Sequence, residues 1–351
     1  MKFLSIINYA AVAAAAVIRR GQEEIHISGR DVSATLFNEL DFYVEWAEAA
    51  YCNAGAANNT PVACAYDNCP QVVENGAIIY TSYTWSANSS DTATDVAMII
   101  GIDHKRQEIV LSYRGTVDIR NWIVNLSFSQ SSCEELIEDC EAHQGFLWAW
   151  SETKDAVMSG IAAATAEFPS YKIIVTGHSL GGAMATLATA YLRNAFYKLD
   201  LYTYGSPRVG NLMFVQLVTN QLGSENRVTK LDDPVPRLPP IFTGYYHTSP
   251  EYWIDEGADD SVNTTASEIT MCDGYANTNC NGGQLGLSID AHLTYFQHTG
   301  ACDEGISSSK RTLSSEKSAQ FVTDADIEEQ LKTYFQHDID FINSANNTSN
   351  A

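Results

Sequence analysis

Residues 172–196 constrain this chain more than any other stretch. Lys172 to Thr176 is a short, strongly apolar run, as expected of a central parallel strand buried on both faces. Gly177-His178-Ser179-Leu180-Gly181 follows, and Ala183 to Phe196 then reads as a helix. Strand, sharp glycine-bounded turn and helix in that order form a nucleophile elbow, with the serine at its apex. The glycines are required because neighbouring side chains would clash with strand and helix in so tight a turn. The helix that starts there points backbone N–H groups at the reacting centre.

The rest of the chain repeats this alternation. Leu40 to Ala50 has helical apolar spacing, and Ala97 to Ile102 and Glu108 to Tyr113 read as strands. Trp148 to Phe168 reads as an amphipathic helix stopped by Pro169, Leu201 to Tyr204 as a strand, Asn211 to Leu222 as a helix and Arg227 to Lys230 as a strand. Strands alternating with helices predict a doubly wound α/β domain with a mostly parallel central sheet, over residues 33–302. No repeat or Pro/Gly linker divides it. Residues 303–351 differ: a serine-rich stretch containing Lys310-Arg311 precedes Ile327, Leu331, Tyr334, Phe335, Phe341 and Ile342 at helical spacing behind Thr323-Asp324. This extension is expected to be a link plus one amphipathic helix outside the main core, its apolar face available to dock near residues 117–128 or to insert into lipid.

A formal net charge of -23 leaves no basic stripe to neutralise phosphates, which excludes nucleic acid as a partner and electrostatic docking to anionic lipid. Any lipid contact must be apolar. Lys2 followed by the alanine-rich run Phe3 to Val17, then Arg19-Arg20, reads as a signal peptide and processing region over residues 1–20. No later stretch is apolar enough to span a bilayer. Eight cysteines, without a Cys-x2-Cys pair, fit disulfides in an oxidising compartment better than a metal site. Asn58, Asn88, Asn125, Asn263 and the overlapping Asn346 and Asn347 stand in N-glycosylation sequons. Together these features predict a secreted, extracellular glycoprotein.

A serine hydroxyl needs a base to take its proton and a carboxylate to orient that base. In elbow proteins both follow the serine in the order acid, then histidine. Asp232 and Asp233 come just after the strand that ends at Lys230; His247, His292, His298 and His337 follow. Spacing alone leaves this choice open.

Several longer matches close it by resemblance: Tyr113-Arg114-Gly115-Thr116, Ile119-Arg120-Asn121-Trp122-Ile123, and the elbow continued through Gly182-Ala183. To these add Tyr202 to Asn211, Asp233 to Pro240, and Ala291-His292-Leu293-Thr294-Tyr295-Phe296. In these segments the chain resembles the class 3 secreted triacylglycerol lipases of filamentous fungi, from Tyr51-Cys52 to Cys302. The resemblance implies the α/β-hydrolase fold, Ser179 as nucleophile, Asp233 as acid and His292 as base. It also implies oxyanion donors at Thr116 and, one residue past the nucleophile, Leu180. No metal and no organic cofactor is implied.

Ile119, Trp122, Ile123 and Leu126 fall at i, i+3, i+4 and i+7, one apolar face of a short helix. By periodicity this is a core-facing helix. By resemblance it is a lid that hides its apolar stripe in water and offers it to lipid when open. The resemblance also implies the disulfides Cys52–Cys302, Cys64–Cys69 and Cys133–Cys140, with Cys272–Cys280 as in related feruloyl esterases. The expected activity is hydrolysis of triacylglycerol esters at a lipid–water interface through an acyl-enzyme, with phospholipase A1 side activity. A feruloyl esterase of the same fold is the nearest alternative, disfavoured by the apolar Trp122 segment. A catalytically silent lipid-binding protein would have to carry an intact Ser179, Asp233, His292 and Thr116 for nothing.

Overall fold

A computed structural model describes residues 27–30, 32–85, 95–116, 118–300, 302 and 324–349. Residues 1–20, Asn88, Lys310-Arg311 and Thr323 lie outside them.

The first long helix, α1 (Ala34–Asn53), starts where Ser33 caps it, its hydroxyl accepting from Leu36 N at 3.2 Å. After β1 (Ile27–Arg30) and α1 come β2 (Thr60–Pro61), α2 (Pro70–Glu74), β3 (Ile78–Trp85), β4 (Val96–Asp103) and β5 (Glu108–Tyr113). A short helix, α3 (Ile119–Asn125), and the hairpin β6 (Gln130–Ser132) and β7 (Glu141–His143) lead to α4 (Gln144–Glu167). The elbow region is β8 (Lys172–His178) and α5 (Leu180–Asn194). It is followed by β9 (Leu199–Tyr204), α6 (Leu212–Asn220), β10 (Glu225–Lys230), β11 (Glu251–Ile254) and β12 (Ile269–Cys272). A four-residue turn of helix, α7 (Ile289–His292), and the long α8 (Asp324–Ser349) complete the chain.

One ten-stranded sheet runs β1-β12-β11-β10-β9-β8-β5-β4-β3-β2. Its middle strands β5, β8, β9, β10 and β11 are parallel, and antiparallel strands close both flanks. The pleat sorts side chains between two cores. Ile99, Val110, Ile174 and Tyr204 face α1, whereas Ile100, Leu111, Val175 and Leu201 face α4 and α5. Both faces of these strands are buried, so their sequences are continuous apolar runs rather than alternating ones. Each fully buried Ile, Leu or Val side chain contributes roughly 1.5–3 kcal/mol. The α/β-hydrolase expectation therefore holds, with a parallel sheet centre flanked by helices.

Four disulfides are present, in the pairings given by the resemblance: Cys52–Cys302, Cys64–Cys69, Cys133–Cys140 and Cys272–Cys280. The sequons at Asn58, Asn125 and Asn263 are exposed, and Asn346 and Asn347 fall in the last turns of α8. No helix among the described residues is long and apolar enough to cross a membrane.

The helix expected outside the main core is packed onto it. Leu331, Phe335, Ile342 and Ala345 of α8 are buried, and Ile342 and Ala345 join the cluster under α4 and α5. Sequence spacing identified the apolar face correctly. Its seat was out of reach because it depends on Asp338, a polar residue inside that face. Asp338 is 1% exposed and accepts from Arg208 Nη1 (3.1 Å), Ile241 N (2.9 Å) and Phe242 N (3.1 Å). A buried carboxylate is tolerable only when paired and hydrogen bonded in this way.

Candidate active site

Ser179 is the single residue between β8 and α5, with φ 58° and ψ −129°. A non-glycine residue held there costs of order 1–3 kcal/mol, so its surroundings must impose it. They do: Ser179 N donates to Tyr204 O and Gly182 N donates to Ser179 O, both at 2.9 Å. A Cβ on Gly177 would lie 2.3 Å from Gly181 O, and one on Gly181 would lie 2.2 Å from Tyr113 O. The elbow thus closes only with glycine at both places. Leu180 opens the 15-residue α5, whose first-turn N–H groups have no partner within the helix.

Of the four histidines left open by spacing, His292 alone reaches a candidate acid. Its Nδ1 lies 2.9 Å from Asp233 Oδ2, with both side chains buried. Asp233 Oδ1 accepts from Val235 N at 2.9 Å, and Oδ2 also accepts from the Tyr295 hydroxyl at 2.5 Å. The carboxylate is therefore held from three sides. His247 is turned to Pro236 O (2.6 Å), while His298 and His337 are exposed, the latter stacked on Phe242. Asp232 lies against the backbone at Gly286, where a Cβ would come 1.7 Å from its Oδ2.

His178, inside the elbow, is not placed to act as a base. Its Nε2 must carry the proton, because it is bonded to the carbonyl of His292 at 2.8 Å. Its Nδ1 then accepts from the Tyr51 hydroxyl at 3.0 Å. Burial, followed by the nearby His292, holds its pKa well below 6.5, so the ring is neutral and braces the His292 backbone.

Ser179 Oγ and His292 Nε2 are both buried and find no hydrogen-bond partner among the described residues. Both border Tyr204-Gly205: Tyr204 O receives the Ser179 amide, and Gly205, at φ +57°, lies directly against the histidine–aspartate pair. A Cβ on Gly205 would be 3.0 Å from Asp233 Oδ2, His292 Cε1 and His292 Nδ1 alike. On the other side, Arg114-Gly115-Thr116 leaves β5 beside the elbow; a Cβ on Gly115 would be 3.2 Å from Ser179 Cβ. Thr116 is the next residue and is half-buried. The site thus brings together a nucleophilic oxygen without a partner among the described residues, an oriented imidazole and the N-terminus of α5, with Thr116 in the adjoining segment.

α3 carries the apolar stripe. Asp118 caps it through Asn121 N, at 3.1 Å. Ile119 is buried; Trp122, Ile123 and Leu126 are half-buried. Trp122 and Leu126 pack on the main core, and Ile123 and Leu126 on Leu238 together with Leu331 and Phe335 of α8. Val124 faces outward, 47% exposed. Of the two places the sequence left open for the apolar face of α8, docking near α3 or insertion into lipid, the fold takes the first, joining residues some 200 positions apart. The sequence did not reveal the role of Arg237, a residue 1% exposed whose guanidinium stacks 3.9 Å over Phe335 and binds the carbonyls of Asp232, Asp233, Gln284 and Gly286.

Residues 110–243 match the family model described as lipase (class 3). The chain is 44% identical over 345 residues to a secreted mono- and diacylglycerol lipase 1 of Fusarium solani, covering 97% of this chain and 98% of that one. It is 37% identical to a secreted mono- and diacylglycerol lipase A of Penicillium camembertii, covering 77% and 88% respectively. Among solved structures it is similar to a mono- and diacylglycerol lipase from Aspergillus oryzae, with a TM-score of 0.71 and 38% identity over 77% of this chain and all of that one.

Proposed function

The chain belongs to the class 3 lipase family, and on that premise we propose that it is secreted and hydrolyses acylglycerol esters at lipid–water interfaces through Ser179, His292 and Asp233. The observation that carries this reading is the unpartnered Ser179 Oγ in a strained elbow beside a His292 whose Nδ1 is bonded to Asp233. That arrangement leaves Nε2 of the imidazole as the nitrogen for proton transfer.

The geometry supports the following steps. Ser179 Oγ attacks the ester carbonyl while its proton passes to His292 Nε2, and Asp233 holds the resulting imidazolium through Nδ1. The backbone N–H groups of Leu180 and Thr116 receive the oxyanion; losing one such donor typically costs about 2.7–4 kcal/mol in the barrier. His292 then returns the proton to the departing glycerol oxygen. Water, activated by the same imidazole, releases the fatty acid.

Mono- and diacylglycerols are the first substrates to test, because relatives at 44% and 37% identity carry those names. Triacylglycerol, read from the sequence, and phospholipid belong in the same assay. We further read residues 1–20 as the signal and processing segment, 33–302 as the catalytic domain and 303–351 as its C-terminal extension. α3 acts as the lid, its stripe exchanged between the protein interior and lipid.

The test is the rate on monoolein, diolein, triolein and methyl ferulate across the solubility limit, beside Ser179→Ala. A rate on partial glycerides that climbs once droplets form, and is absent from Ser179→Ala, is the expected result. Strong methyl ferulate hydrolysis with little glyceride turnover would replace this reading with a feruloyl esterase.

A further inference from the structure

Lys230, the last residue of β10, is 1% exposed, yet no carboxylate lies within ion-pair distance of its Nζ among the described residues. All three ammonium protons go to neutral oxygens: Asp259 O (3.0 Å), Ser261 O (2.7 Å) and Thr294 Oγ1 (2.8 Å). Burying a cation without a contact partner is costly, and an apolar side chain of similar length would fill the space more cheaply. Lys230 is therefore present for what it ties together. Its own carbonyl accepts from Asp233 N at 3.0 Å, so its backbone holds the turn that presents Asp233. Its ammonium holds Thr294, two residues past His292. The Thr294 hydroxyl lies in reach of Asp290 O (2.7 Å) in α7 and Asp259 O (2.5 Å), and donates to one of them.

We propose that Lys230 is a positioning residue for the hydrolysis, pinning the α7 turn that carries His292 to the strand end that carries Asp233. The inference rests on Asp233 and His292 being the acid and base. The charged groups facing the ammonium are Asp259, Asp260, Asp233 and Glu268, all acidic. Burial outweighs them and lowers the Lys230 pKa from its ordinary 10.5 to about 8. Above that pH the ammonium loses one of its three donors, and the pin loosens. Unfolding does not account for such a loss. Between about 8 and 10.5 the unfolded chain holds the proton that the fold has released, so this group's contribution to stability rises with pH.

The experiment measures kcat and KM for tributyrin with the full chain, from pH 6 to 10, in wild type, Lys230→Met, Lys230→Arg and Thr294→Val. Lys230→Met is expected to lower kcat about 10- to 100-fold with KM within twofold, because small misplacements of reacting groups have effects of that order. Phosphonate labelling of Ser179 should slow in proportion. Wild-type kcat should fall above about pH 8 and Lys230→Arg should hold its activity to higher pH. Thr294→Val cuts the same link from its other end while keeping the charge, and should lower kcat at pH 7 and flatten the alkaline limb, because titrating Lys230 cannot loosen a pin that is already cut. Wild-type kcat and pH profile in Lys230→Met would overturn the inference. If that variant does not fold, an unchanged kcat in Thr294→Val would do so. Asp233→Asn, run alongside, separates the two readings: full activity there sinks the acid–base assignment, whereas an inactive Asp233→Asn beside a normal Lys230→Met sinks this inference alone.

Discussion

Gly205→Ala should slow the enzyme markedly while leaving it folded. The added methyl would lie 3.0 Å from Asp233 Oδ2, His292 Nδ1 and His292 Cε1, closer than carbon ordinarily approaches any of them. Two of those atoms are the ends of the 2.9 Å bond that orients the imidazole, so the methyl acts as a wedge on that pair. Relief requires a shift of a few tenths of an ångström in side chains that are 0–1% exposed and packed all round. The backbone contributes a second cost, because φ is +57° and alanine in the left-handed region costs roughly 1–2 kcal/mol. Stability should therefore fall by about that amount, whereas kcat should fall about 10- to 100-fold, or roughly 1.4–2.7 kcal/mol in the barrier. KM should barely change, since the atoms the methyl meets first belong to Asp233 and His292 rather than to Ser179. Tributyrin kinetics, the rate of phosphonate labelling of Ser179 and a thermal melt together read all three. A lowered melting temperature with kcat within twofold of wild type would mean that the pair has slack, and the argument from the close approach would be wrong.

Three further outcomes are expected. Tyr295→Phe removes the 2.5 Å donor to Asp233 Oδ2; hydrogen bonds to charged groups contribute about 1.5–3 kcal/mol, so kcat should fall roughly 10- to 100-fold with little change in KM, as steady-state kinetics would show. Asp338→Ala strands the buried Arg208 guanidinium and should destabilise the fold by about 3–5 kcal/mol in denaturant melts; a loss below 1 kcal/mol would mean that α8 is held by its apolar face alone. Removing the Cys52–Cys302 bridge, as Cys52→Ser with Cys302→Ser, opens a loop closed over a separation of 250 residues and should cost about 5 kcal/mol, less any native strain, read from the same melts.

Much of this fold and part of the site were legible in the sequence. The strand Glu108–Tyr113 was read with its observed ends, and β4 and β8 to within two residues, because strands buried on both faces leave near-continuous apolar runs; β9 and β10, with polar residues among their buried positions, were also read to within two residues, from their place in the strand–helix alternation. The elbow was legible because its backbone demands glycine at positions 177 and 181 around one serine. β3, β11 and β12 were not read, being short or half-exposed strands at the sheet's flanks, where partners rather than local pattern decide. The choice of His292 among four histidines came from resemblance, since no local rule distinguishes a histidine facing an acid from one stacked on Phe242.

By itself, then, the sequence determined the strand–helix alternation, the strained serine turn and the apolar faces of α3 and α8, all of which are local periodicities or local steric requirements. Only the tertiary structure decided which aspartate meets which histidine, that α8 seats beside α3 through Asp338 and Arg208, and that Lys230 ties the Asp233 strand end to the His292 turn. Those outcomes depend on polar groups from distant segments satisfying one another where water is excluded, and no periodicity along the chain records such a pairing.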